Sequence, residues 1–190
     1  MTTIVAVKKN GIAAIAADSL STWGHLNIPA KHIANHRKIL AYEDNYFAFT
    51  GSPSFLAVLE QWLARAERKP DFSSVQAIFD SSLDLHELLK RQYYLRPYDN
   101  DSDVFESSRM NILIVNPNGV FSIGSLRTVL EYETFTALGS GTELGLGAMS
   151  ALYDHDDESA ESIATRAIEI AAEFDDATGL PFYCYTVKLK

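Results

Sequence analysis

Residues 2–8 and 12–17 are apolar runs of β-branched residues and alanine that meet at Asn10-Gly11. That dipeptide tolerates positive φ and favours a tight hairpin, so the pattern predicts two antiparallel strands. Two more strands are predicted over Lys38-Ile39-Leu40-Ala41-Tyr42 and Tyr46-Phe47-Ala48-Phe49-Thr50, joined by the polar turn Glu43-Asp44-Asn45. Gly51 ends the alternation. Ser52-Pro53 then reads as an N-cap and first helical residue, and Phe55, Leu56, Val58, Leu59, Trp62 and Leu63 recur at helical spacing to about residue 68. A second helix is predicted over 73–94, with Val75, Ile78, Phe79, Leu83, Leu85, Leu88 and Leu89 on its apolar side. Residues 97–108, rich in Asp and Ser, read as an exposed acidic loop.

Strands resume over 111–115 and 120–123, around the turn Asn116-Pro117-Asn118-Gly119, and over the alternating segment 132–137. Helices are predicted over 142–153 and 159–174, and a last strand over 182–189. This order, strands, helices, strands, helices, strand, suits an α+β fold of antiparallel sheets with helices packed outside, rather than a parallel βαβ array.

With 190 residues, 47% of them hydrophobic, and no Gly/Ser-rich or Pro-rich linker, residues 1–190 read as one domain with a substantial core. The single cysteine, Cys184, excludes an intramolecular disulfide and fits a reducing compartment. There is no charged and apolar leader pattern and no run of membrane-spanning length, so a soluble cytoplasmic protein is expected. A net charge of -9 argues against nucleic acid or an anionic membrane as partner; the basic stretch Lys31 to Lys38 is short and broken by apolar residues.

Chemistry enters at the first residues. Thr2 follows Met1 directly, and Met1 is readily trimmed before a small residue; the new terminus would carry a hydroxyl and an α-amine together, a recognised nucleophile–base pair. Such a threonine needs a cation, a carboxylate to hold that cation, and donors for an oxyanion. Asp18 ends the second hairpin strand beside residue 2, and Lys38 opens the third strand. Each taken singly reads as an ordinary solvated charge. His32 and His36 stand four apart, but no third ligand follows at suitable spacing, so no metal is expected. Gly139-Ser140-Gly141, with Gly145 and Gly147, lacks a phosphate loop's Lys-Ser/Thr ending and reads as a tight turn with close helix packing.

Taken in order, Thr2-Thr3-Ile4-Val5, Asp18, Lys38-Ile39, Phe49-Thr50-Gly51, Gly139-Ser140-Gly141 and Asp175-Asp176-Ala177-Thr178-Gly179 resemble a proteasome β-subunit or the bacterial HslV peptidase. Within that superfamily of N-terminal nucleophile hydrolases the chain is most similar to the betaproteobacterial proteasome homologue. The resemblance runs nearly end to end and implies a four-layer αββα sandwich of two antiparallel sheets flanked by helices. It implies a threonine peptidase with Thr2 as nucleophile, its α-amine as proton acceptor, and Asp18 and Lys38 as the acid–lysine pair that activates the hydroxyl. Ser140 matches the serine near the terminal amine, and Asp175 and Thr178 match the segment that positions that serine.

Peptides in this family lie as an added strand, with Ser21 and Thr22 matching one edge. Ala48 falls where relatives carry the glycine whose backbone N–H meets the oxyanion, and Tyr46 and Thr50 would line the first specificity pocket. A large Tyr46 there would make the pocket shallow and favour small or medium side chains. The resemblance further implies no cofactor, a homo-oligomeric double ring of six or seven subunits each, and an ATP-dependent unfoldase as partner. Two alternatives stay open: an amidase of the same chemistry acting on a small molecule, and a dormant ring serving as a binding or scaffold particle.

Overall fold

The computed structural model describes residues 2–66, 69–97 and 104–190. The predicted hairpin forms from β1 (Thr3–Lys9) and β2 (Ile12–Asp18), turning at Asn10 and Gly11 with φ of 52° and 73°. β10 (Phe135–Gly139) pairs with the outer side of β1, and β11 (Phe182–Lys188) with the outer side of β2, giving an antiparallel sheet in the order β10-β1-β2-β11. The second antiparallel sheet has the order β5-β6-β7-β8-β9, from β5 (Ile39–Tyr42), β6 (Asn45–Thr50), β7 (Asn111–Asn116), β8 (Gly119–Ile123) and β9 (Val129–Tyr132).

The apolar run Ile4-Val5-Ala6-Val7 is fully buried because β1 is covered on both faces, and the pleat sends alternate residues to different layers. Val5, Val7, Ala14 and Ala16 pack against α3 (Thr142–Leu152) and α4 (Ala160–Phe174), through Met149, Ile163, Ala164, Ala167 and Ile168. Ile4, Ala6, Ala13, Ile15 and Ala17 face the other sheet and meet Ile39, Ala48, Leu113, Val115 and Val120. The far face of that sheet, through Leu40, Phe47, Ile112, Ile114 and Phe121, packs on α1 (Ser54–Arg65) and α2 (Val75–Tyr93). Among the described residues no helix is long and apolar enough to cross a membrane.

Some elements differ from the sequence expectation. The segment read as one strand over 132–137 is divided: β9 ends at Tyr132 in one sheet and β10 starts at Phe135 in the other, so Glu133-Thr134 carries the chain between sheets. A small hairpin, β3 (Ser21–Trp23) and β4 (Leu26–Ile28), forms around Gly24 with φ of 59°; its strands are half-exposed and only three residues long each, too short to stand out by alternation. Helix α1 begins one residue later than expected, with Pro53 in the N-cap position. Of the expected acidic loop over 97–108, residues 98–103 lie outside the described residues. Its end is not simply exposed: Ser107 and Ser108 are buried, and Glu106 bonds Lys90 and His86 of α2.

Leu113 is fully buried where the two sheets meet. Leu113→Ala should therefore lower stability by about 2–5 kcal/mol, read as a shift of the denaturation midpoint at unchanged slope. A loss well under about 1 kcal/mol would show that this interface closes without it.

Candidate active site

The register of the first sheet builds the site. Thr3 stands opposite Gly139 and Ile4 opposite Ala17, so the start of β1 lies between the end of β2 and the end of β10. Asp18, the last residue of β2, is fully buried, and a buried carboxylate requires hydrogen-bond donors. Its Oδ1 accepts from the Thr2 hydroxyl at 2.9 Å, the Thr3 N–H at 3.0 Å and the Lys38 ammonium at 2.6 Å. Its Oδ2 accepts from the N–H groups of Leu20 at 2.9 Å and Gly179 at 3.1 Å. Burial pushes the Lys38 pKa below its usual value, while the charge of Asp18 and the bond to it pull the other way; the net direction is down. The structure thus brings Thr2, Asp18 and Lys38 into one contact set.

A second network holds the backbone of the same threonine. The Ser140 N–H donates to the Thr2 carbonyl at 3.0 Å, and the Ser140 hydroxyl donates to Asp175 Oδ2 at 2.6 Å. The Thr178 hydroxyl donates to that same oxygen. Because its one proton is thereby committed, Thr178 accepts from the Thr3 hydroxyl, 2.5 Å away, and Thr3 Oγ1 in turn accepts from the Gly141 N–H at 2.9 Å. Burial raises the Asp175 pKa, but the hydroxyls of Ser140 and Thr178 and the Ala177 N–H favour the carboxylate, and the net direction is down.

Both glycines of the Gly-Ser-Gly turn are dictated by this closeness. Gly139 has a φ of 105°, and a Cβ there would overlap the Thr2 carbonyl; a Cβ at Gly141 would stand 2.6 Å from Thr3 Oγ1.

These groups open onto a cleft of about 550 Å³ lined by Thr2, Ser21, Thr22, Lys38, Thr50 and Ser140, together with Gly51, Phe49, His36 and Leu56. Two expected positions are elsewhere. Ala48 is fully buried in mid-strand, paired with Ile39 on one side and Leu113 on the other, so it lies in the ladder and not at the cleft. Tyr46 stacks on Tyr185 at 5.0 Å between the sheets, so it does not floor the pocket, and the expectation of a shallow pocket falls with it. The cleft is reached from the end of β6, by Phe49, Thr50 and Gly51, the last with a φ of 128°.

Sequence reasoning also passed over Thr3, Gly139 and Gly141 as working parts. The signal for Thr3 was available: in a strand, consecutive side chains point to opposite faces, so two adjacent threonines serve two different networks.

The lowered Asp175 pKa has a sign. Its contribution to stability is complete above the ordinary value of 3.8 and is lost as pH falls through the lower folded-state value. Asp175→Asn should therefore lie below the parent in stability at neutral pH, and the gap should narrow as pH drops under 3.8 in urea titrations. A gap of equal size at pH 7 and about pH 3 would contradict the assignment.

No protein-family model matches the chain. Among curated proteins it is 30% identical over 181 residues to the ATP-dependent protease subunit HslV of Caulobacter sp. (strain K31), covering 90% of this chain and 86% of that one. It is 29% identical over 173 residues to HslV of Desulfovibrio desulfuricans, covering 90% and 89%. Among solved structures it superposes on Thiobacillus denitrificans BPH in complex with epoxomicin with a TM-score of 0.92 at 41% identity, over 100% of both chains. A second structure of that BPH gives 0.93 at 42%, over 100% of this chain and 99% of that one. Eukaryotic HslV from Trypanosoma brucei shares the fold, with a TM-score of 0.74 at 20% identity over 98% and 99% of the two chains. On its sequence likeness to HslV, and with this fold beneath it, the chain belongs to the family of proteasome β-subunit and HslV-type peptidases.

Proposed function

We propose that this chain is a threonine peptidase that cleaves peptides or unfolded polypeptides with Thr2, once Met1 has been removed. The observation that carries the reading is the Thr2 hydroxyl at the cleft wall, bonded to the same Asp18 oxygen that holds the Lys38 ammonium. That ammonium stabilises negative charge developing on the threonine oxygen. The freed α-amine, with a reference pKa of about 7.7–8.0, accepts the hydroxyl proton directly or through water. Thr2 Oγ1 attacks the peptide carbonyl, the C–N bond breaks as the departing amine takes the proton, and water hydrolyses the resulting ester to regenerate the hydroxyl.

Asp18 holds Lys38 in place, and Asp175 with Thr178 orients Ser140 beside the new terminus. The N–H of Gly51, at the cleft and beyond the end of the strand ladder, is the main-chain donor best placed for the oxyanion, in place of Ala48. Ser21, Thr22 and Thr50 line the path of a bound peptide, which would lie along β3.

The packed interfaces support a single domain layered helix, sheet, sheet, helix. Exposed Trp23, Leu26, Phe105, Phe174 and Leu180 support a homo-oligomer, which we read as a double ring of six or seven subunits each, working in the cytoplasm. HslV is described as an ATP-dependent protease subunit, and an ATP-dependent unfoldase is the corresponding partner here.

Thr2→Ala should reduce peptide hydrolysis by about a thousandfold or more while leaving the assembly's size in gel filtration unchanged. Lys38→Ala should do nearly the same. Retained hydrolysis in Thr2→Ala would overturn the mechanism.

A further inference from the structure

The cleft beside Thr2 has an apolar floor and a one-sided charge. Ile33, Phe49, Pro53 and Leu56 face it, and its ionisable lining among the described residues is His36, Arg37 and Lys38, with no carboxylate. Both strong cations are nonetheless committed. Lys38 is held by buried Asp18, and the Arg37 guanidinium is held by Glu60, which stands on α1 outside the cleft lining. Burial and the neighbouring Lys38 lower the His36 pKa from its ordinary value, against an opposing pull from Asp18. The His36 ring stacks on Tyr183.

A side chain entering this pocket meets three different outcomes. A basic one meets three basic side chains and no carboxylate in the lining to pair with, which disfavours it. An apolar one exchanges water for the floor and gains. An acidic one must compete for cations already taken. The two cations differ in how firmly they are held: the Lys38 side chain is 12% exposed and its partner Asp18 not at all, whereas Arg37 and Glu60 are 50% and 34% exposed. A half-exposed pair is weak, and it is the pair a substrate carboxylate could break.

We infer that Glu60 is a charge gate for this cleft: by holding Arg37 against α1 it makes the enzyme select a medium or large apolar side chain on the residue whose carbonyl is attacked. The inference rests on the peptidase reading above and names the substrate class of that same site. Glu60 touches no substrate; it acts by positioning Arg37.

The test uses the full chain with Met1 removed and peptides identical except for Leu, Glu or Arg at that residue. The Leu peptide should be cleaved with the highest kcat/KM, and the Arg peptide about tenfold or more below it. In Glu60→Gln, the Glu-to-Leu ratio of kcat/KM should rise about two- to fivefold, the gain appearing in KM, since the freed guanidinium binds the carboxylate in ground and transition states alike. Adding Arg37→Gln to that variant should cancel the rise. An unmoved ratio in Glu60→Gln, or a parent enzyme that prefers Arg or Glu, overturns the gate while hydrolysis itself stands. A chain that cleaves none of the peptides overturns the peptidase reading and the gate with it.

Discussion

The structure turns on one buried carboxylate. Asp18 is closed off from water, and an uncompensated charge in that position would be far too costly to keep. Its donors come from the start of β1, the residues after β2, the residue before β5 and the loop after α4. Segments far apart in the chain are therefore obliged to meet at one point, and that point is the end of the hairpin where Thr2 lies. The demand that satisfies Asp18 is the same demand that sets a hydroxyl and an ammonium on one oxygen.

Strand geometry then divides the labour of the two threonines. Because side chains alternate along β1, Thr2 sends its hydroxyl to Asp18 while Thr3 sends its own to Thr178 and receives the Gly141 N–H. The Thr2 side chain is held from one side and its carbonyl, through the Ser140 N–H, from the other. The close approach of Thr2 leaves no room for a Cβ at Gly139, and that of Thr3 none at Gly141, which is why the turn after β10 has its composition. A hydroxyl fixed in this way would need little reorganisation if it served as the proposed nucleophile, and positioning of that kind is a large part of what an enzyme supplies.

How much of this was legible in the residues depended on whether the signal was local. The Asn10-Gly11 hairpin, the helices capped at Ser74 and Ser159 and the buried run of β1 are local patterns, and they appear where the pattern put them, to within a few residues. The passage from β9 to β10 was hidden because Tyr132 to Ala137 alternates smoothly, and alternation says nothing about which sheet a strand joins. The β3–β4 hairpin was hidden because its strands are only three residues long and half-exposed. Order along the chain was enough to gather Thr2, Asp18, Lys38, Ser140, Asp175 and Thr178. It did not place Ala48 and Tyr46, since position in a motif does not tell whether a residue lies within a sheet ladder or what a ring stacks on; both lie within β6, paired on both sides, and neither lines the cleft.

The central claim is that Thr2, freed at its amine, is an activated nucleophile. The most direct measurement is the intact mass of the natively expressed protein before and after incubation with a peptide epoxyketone, which reacts with both the hydroxyl and the amine of a terminal threonine. The account predicts a chain without Met1 that gains the mass of one inhibitor. A chain that keeps Met1 and gains nothing would contradict it.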